Sequence, residues 1–264
     1  MATLVSFHAH PDDEAITCGG VMRKAYEQGH RVVLVVATRG EHGEVPEGFL
    51  DDGEQLWQRR VRETHAAAEI LGVARVEFLG YVDSGMMGTS TNDAAGSFWT
   101  APVEDAARRL AAILAEEDAE VLTVYDDNGG YGHPDHIQVH RVGMRAAELA
   151  GTPRVFQSTM NRDEVVRGMT EMAEQAGALG IEPPDIREVA EFGKPESLLT
   201  TAVDVSAYLG HKREAMRAHR SQIDEQSFFL AMPGPAFARA FGTEWFIRSG
   251  ARPGALETDL FASR

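Results

Sequence analysis

The chain has 264 residues, 43% of them hydrophobic and 25% charged, the balance of a water-soluble globular protein long enough to bury a core without covalent staples. Its 41 acidic against 25 basic residues give a net charge of −16, which opposes phosphate backbones and anionic membranes, so neither nucleic acid nor a membrane is an expected partner. The lone Cys18 excludes an internal disulfide framework, and "MATLVSF" has no basic n-region or long apolar run, so a cytoplasmic protein is expected.

In chain order, the first apolar run is "TLVSF", followed by a helical pattern over residues 14 to 28 that stops at "QGH". "RVVLVVAT" is the second strand. "EQLWQRRVRETHAAAEILG" repeats apolar positions at three and four and ends on its own glycine. "ARVEFLG" follows, then "APVEDAARRLAAILAEED", whose Pro102 and first-turn acids mark a helix start. "EVLTVYD" is the fourth strand, a helix begins near His136, and "RVFQSTM" is the fifth strand. The strands are nearly continuous apolar runs, as expected where both faces of a sheet are covered. Strict alternation of strand and helix predicts an α/β fold with a mostly parallel, Rossmann-like sheet flanked by helices.

Beyond residue 160 the pattern loosens into a less regular α+β portion. It predicts a helix over 161 to 178, a connection holding "PPD", a strand near "LLTTAVDV" and a helix from Ser206 to about His219. The aromatic-rich "SFFLAMPGPAFARAFGTEWFIR" is expected to pack as a lid or wall. Residues 1–160 thus form the expected catalytic core, and 161–264 complete the same domain and its pocket.

Two polar clusters interrupt the apolar pattern. "HAHPDDE" (8 to 14) follows the first strand and "YGHPDH" (131 to 136) follows the fourth, both at carboxyl ends, where open parallel sheets bind ligands. A dinucleotide site needs G-x-G-x-x-G after the first strand; three acids stand there instead and would repel a diphosphate. His10 and Asp13, three apart across a turn, can meet at one point as ligands of Zn2+, and three protein ligands with an open position make a catalytic site. The same ligand types also suit Fe2+. Of His133, His136 and His140, His136 is assigned as third ligand, His133 as facing substrate, and His140 as a surface or supporting residue. Asp12 is left as a general base beside a metal-activated water. Asp135 is expected to orient the His133 ring.

Each cluster has a plainer explanation. "HPDDE" alone can be a helix cap, but capping requires no histidines in both clusters. His8 shares a face with His10 and is expected to line the cavity. Cys18 can be a nucleophile at a helix start, though neighbouring acids disfavour its thiolate.

At "AHPDDE" (9 to 14) and "HPDH" (133 to 136) the sequence resembles the zinc-dependent de-N-acetylases called the LmbE-like or PIG-L family. The likeness covers residues 3 to 150 well, and beyond that "HRSQ" (219 to 222). The resemblance implies zinc on His10, Asp13 and His136, with Asp12 as base. It implies His133 as the group that stabilises the oxyanion or protonates the leaving amine, helped by Asp135, and Tyr131 as a mobile residue that polarises the carbonyl. Arg60 and Asp83 resemble residues that hold sugar hydroxyls in the mycothiol-pathway members, and Met86 would line that pocket. The loop after the second strand departs from its relatives: "GEHGE" carries His42 where a second acid is common, and keeps Glu41.

The expected activity is removal of acetate from an N-acetylglucosamine-containing conjugate, a small-molecule partner; a homo-oligomer is compatible with the sequence. Cleavage of a mycothiol S-conjugate or another amide is the nearest alternative. A non-catalytic sugar- or metal-binding protein is an alternative of another class.

Overall fold

A computed structural model describes residues 1–178, 192–254 and 256–261. Five strands, β1 (Thr3–His8), β2 (Arg31–Val36), β3 (Arg75–Phe78), β4 (Val121–Tyr125) and β5 (Arg154–Thr159), pair in parallel. Two more, β6 (Thr201–Asp204) and β7 (Thr243–Arg248), extend the sheet beyond β5 in the order β3-β2-β1-β4-β5-β7-β6, with β7 antiparallel to both neighbours. This is the expected α/β sheet, with strands of the C-terminal portion joined to its edge.

Alternation along each strand divides the core between the two faces. Leu4, Val32, Leu34, Val36, Phe156 and Phe246 pack on one side; Val5, Phe7, Val33, Val35, Leu122 and Val124 pack on the other. Helices α2 (Gly19–Glu27), α3 (Leu56–Leu71) and α7 (Leu209–Ala218) supply residues to the first face, and α4 (Val103–Glu116) and α5 (Pro134–Ala150) to the second. The remaining helices are α1 (Asp13–Thr17), α6 (Arg162–Ala178) and α8 (Gly234–Phe241). Among the described residues, no helix is long and apolar enough to cross a membrane.

Two expectations change and one is borne out. The single helix over 14 to 28 breaks at Cys18 into α1 and α2. The break has a cause far along the chain: Glu244 on β7 accepts the N–H groups of Gly20 and Val21, both at 2.8 Å, and takes Lys212 at 2.5 Å. A buried carboxylate there satisfies the start of α2 and favours its dipole. The helix expected from near His136 begins at Pro134, where the missing N–H and fixed φ suit the first turn. The aromatic-rich stretch expected as a lid or wall contains α8 and a sheet strand, β7. The "PPD" connection lies outside the described residues.

Sheet order places the site. From β1 the chain proceeds outward to β2 and β3; from β4 it proceeds the other way to β5. The loops after the adjacent β1 and β4 therefore diverge, opening a crevice at the carboxyl edge. Both histidine clusters fall in that crevice.

Candidate metal centre

The β1–α1 turn carries His10, Asp12 and Asp13. Asp13 Oδ2 accepts the backbone N–H of His10 at 2.9 Å and lies 3.4 Å from its Nδ1. From the first turn of α5, His136 brings Nε2 to 3.3 Å from the same oxygen. All three residues are buried.

Tautomers follow from the other ends of the rings. His136 Nδ1 is 3.2 Å from the carbonyl of Gly129, so it carries the proton and donates it; Nε2 is left bare and has no hydrogen-bond partner. Gly129 has φ +62°, and a Cβ there would stand 2.4 Å from His136 Cβ, so this approach requires glycine. His10 Nε2 lies 3.0 Å from Asp135 Oδ2 and donates to it, which frees Nδ1. Ser84 holds that carboxylate in turn, through its N–H at 2.9 Å and its hydroxyl. An imidazole whose distal N–H is held by a carboxylate or carbonyl is oriented for a metal on its other nitrogen. The orphaned His136 Nε2 beside a buried carboxylate therefore fits a divalent cation.

His133 differs. It caps α5, its Nδ1 accepting the N–H of Asp135 at 3.1 Å, so the neutral ring carries its proton on Nε2. Burial and the nearby His10 and His136 push its pKa down to about 4, keeping it neutral. Asp135 thus meets His133 through its backbone, while its carboxylate holds His10, where the sequence reading had it orient His133. Among the described residues, two other sets, His10 with His133 and His136 and His10 with Asp83 and Asp135, are the ones whose potential ligand atoms all lie within 4.8 Å of one another, whereas Asp13 is what joins His10 and His136 in the favoured set. Their protons disfavour them: His133 would have to surrender its Nε2 proton, and the second set would use His10 Nε2, the nitrogen that donates to Asp135.

The charges follow this layout. Burial opposes ionisation of Asp13, but His136 and His10 outweigh it and hold the carboxyl well below its usual range. Burial likewise opposes charge on His10, yet Asp83, Asp13 and Asp135 raise its pKa. Asp12 is the exception: burial, opposed by Arg60 and aided by Asp13, lifts it to about 6. Its backbone is also unusual, with φ 101° in a region that L-residues avoid at a cost of about 1–3 kcal/mol.

The remaining candidates ring this centre. Arg60 is buried; Nη1 donates to the Gly40 carbonyl at 3.0 Å, and Nη2 to the Pro11 carbonyl at 2.5 Å and to Asp12 Oδ2 at 3.3 Å. A sugar hydroxyl would have to compete for those atoms. Asp83 accepts from Gly85 and His42 and stands 3.4 Å from His10 Nε2; Glu41 accepts the Asp83 N–H at 3.1 Å. Tyr131 sits edge-on to His136 with ring centroids 5.0 Å apart, partly exposed, and Met86 is exposed. His8, expected to line the cavity, is instead buried in a network with Ser6 and Tyr125. Cys18 is buried and its thiol is pushed up to about 11, against a nucleophile. His140 bonds the Tyr125 carbonyl and takes no part. Sequence reasoning missed Ser84, Glu14 and His219; only "HRSQ" pointed to the last.

A buried His/Asp centre at a sheet switch point, with a perturbed carboxyl and a neutral imidazole donor beside it, is the equipment of a metal-dependent hydrolase. The PIG-L sequence profile, described as GlcNAc-PI de-N-acetylase, matches residues 5–147. A relative from Catenulispora acidiphila, named 1D-myo-inositol 2-acetamido-2-deoxy-alpha-D-glucopyranoside deacetylase 1, is 39% identical over 98% of this chain and 88% of its own length. The chain belongs to the PIG-L family of deacetylases. Among solved structures, a deacetylase of teicoplanin biosynthesis shares the fold at a TM-score of 0.63 and 18% identity, over 94% of this chain and 99% of its own. So does GalB, the 4-carboxy-2-hydroxymuconate hydratase of Pseudomonas putida KT2440, at 0.57 and 19%, over 96% and 98%. The fold alone therefore does not decide the reaction; the site does.

Proposed function

We propose that this chain hydrolyses the N-acetyl amide of an N-acetylglucosamine joined to myo-inositol, giving acetate and a free amine. The substrate class is supported by the named relatives, and the chemistry by one observation above all. Asp13 Oδ2, His10 Nδ1 and the partnerless His136 Nε2 gather beside the Asp12 carboxyl.

His10, Asp13 and His136 would hold zinc, leaving an open position. Bound there, the ion supplies Lewis acidity toward the acetyl carbonyl and makes a water a stronger acid. Asp12, with its pKa near 6, takes the proton of the attacking water and returns it to the departing amine. His133 presents Nε2–H to the oxygen that gains charge as the carbonyl carbon becomes tetrahedral. Tyr131, at the rim, adds a second donor. Asp83 and Glu41 form the wall nearest the sugar, Met86 an apolar flank, and Arg60 steadies Asp12 while facing the same wall.

Met86 and Met87 are 52% and 53% exposed, which favours one second reading, cleavage of a larger amide conjugate with an apolar group. Primary-amine release by zinc-loaded protein tests both, using the inositol conjugate, free N-acetylglucosamine and a bulky thioether amide conjugate. Release from the inositol conjugate is expected. Release from the thioether alone would favour the second reading, and silence from all three with zinc bound would refute both.

A further inference from the structure

We propose that Glu14 and His219, which touch neither the metal ligands' donor atoms nor the sugar wall, are positioning residues for Asp12. The proposal rests on the reading of Asp12 as the base. Among the described residues only Asp12 and Asp118 combine a side chain with positive φ, and Asp12 lies at 101°. Its own side chain makes no capping bond that would hold it there. What holds it is Glu14: Oε2 accepts the Asp12 N–H at 3.0 Å. The other oxygen, Oε1, takes His219 Nε2 at 2.6 Å, and both residues are wholly buried.

His219 comes from the end of α7, 205 positions away, and the segment around it is itself anchored. Ser221 donates to Glu63 through its N–H at 2.9 Å and its hydroxyl at 2.6 Å, and Gln222 Nε2 reaches the Glu44 carbonyl at 2.9 Å. Glu63 lies on α3, the helix that also carries Arg60 to the Asp12 carboxylate. One side of Asp12 is therefore fixed at its N–H by His219 and Glu14, and the other at its carboxylate by Arg60. Loss of the first hold lets the Asp12 backbone relax to ordinary φ and swings the carboxylate away from the water it must meet.

Two polar replacements of His219 separate this role from folding. The amide nitrogen of His219→Gln reaches about as far as Nε2, whereas that of His219→Asn stops near Nδ1 and cannot reach Glu14. His219→Gln is expected to keep most of kcat. His219→Asn is expected to lose about 100-fold in kcat, the cost of misplacing a reacting group by an ångström, with KM and metal content unchanged. Crystal structures of the pair should show Asp12 at positive φ in the Gln variant only. Glu14→Gln is the second variant: it retains an oxygen for the Asp12 N–H and presents an amide that the other His219 tautomer accepts, so Asp12 should stay in place. Equal kcat in the Asn and Gln variants, a loss confined to KM or metal content, or an unmoved Asp12 in the Asn crystal would overturn the proposal. If the wild-type protein hydrolyses no amide, the reading of Asp12 as base fails by itself, and Asp12 φ in the two crystals still decides the positioning role.

Discussion

Neighbouring carboxylates in this chain have opposite fates because their partners differ. Asp13 faces two imidazoles and stays ionised; Asp12 faces one shared guanidinium in a buried turn and is held near pH 6. Asp12→Asn should therefore retain the metal while kcat falls about 10²–10⁴-fold, the usual worth of a general base. Metal analysis beside steady-state kinetics checks this, and metal loss by Asp12→Asn would make it a ligand instead. Asp135→Ala removes the nearer partner of His10 Nε2–H and leaves it only Asp83, 3.4 Å away, so metal affinity should fall about 10–100-fold. Competition with a chelator of known affinity measures it; unchanged affinity would remove Asp135 from the centre. At this scale the sequence disclosed residue types but not partners. "HPDDE" and "HPDH" display the proposed ligands, yet nothing local shows that the Asp135 carboxylate meets a histidine 125 positions away, or that Asp12 adopts positive φ.

Elements report the same division. The five parallel strands were legible as short β-branched runs bounded by breakers; β1, β2 and β4 are buried almost throughout, while β3 and β5 are only partly so. β7 was not: "TEWFIR" holds only three apolar residues and runs on from a Gly/Pro-rich aromatic stretch, so its strand character comes from pairing with β5 and β6. Its Glu244 also splits the first helix in two. Glu244→Ala would strand the buried Lys212 and two helix N–H groups, and should cost about 3–5 kcal/mol in urea unfolding. A loss below about 1 kcal/mol would show that water replaces the carboxylate. The Glu14–His219 contact adds a pH dependence. Burial opposes charge on both groups, but their attraction outweighs it, raising His219 above 6.5 and lowering Glu14 below 4.5. The contribution of His219 is complete below 6.5 and lost as pH rises through its raised pKa; that of Glu14 is complete above 4.5 and lost as pH falls through its lowered one. The pair therefore stabilises most between these two values. The difference in urea midpoint between wild type and His219→Gln should shrink as pH rises from near 6 through the raised His219 pKa, and a difference that never falls would mean that the pair contributes no charge.

For the whole molecule, a metal held as proposed would link folding to chemistry, because His10, Asp13 and His136 come from the segments that follow β1 and β4 and no unfolded chain presents them together. An ion at about 1,000 times its dissociation constant adds about 4 kcal/mol to stability. Chelation should lower the melting temperature as it abolishes turnover, and zinc should restore both; a melting temperature blind to chelation would separate the ion from the fold. The charge of −16 surrounds this centre with a field that draws in cations and does nothing for anionic substrates, in keeping with a neutral sugar–polyol. The most direct test of the central claim is an anomalous-difference map at the zinc edge from crystals of the zinc-loaded protein. A single peak about 2.0–2.2 Å from His10 Nδ1, Asp13 Oδ2 and His136 Nε2, with Asp12 outside bonding distance, is the expected result. A peak bonded to His133 or to Asp83 and Asp135 instead would contradict the ligand set, and with it the roles of Asp12 and His133.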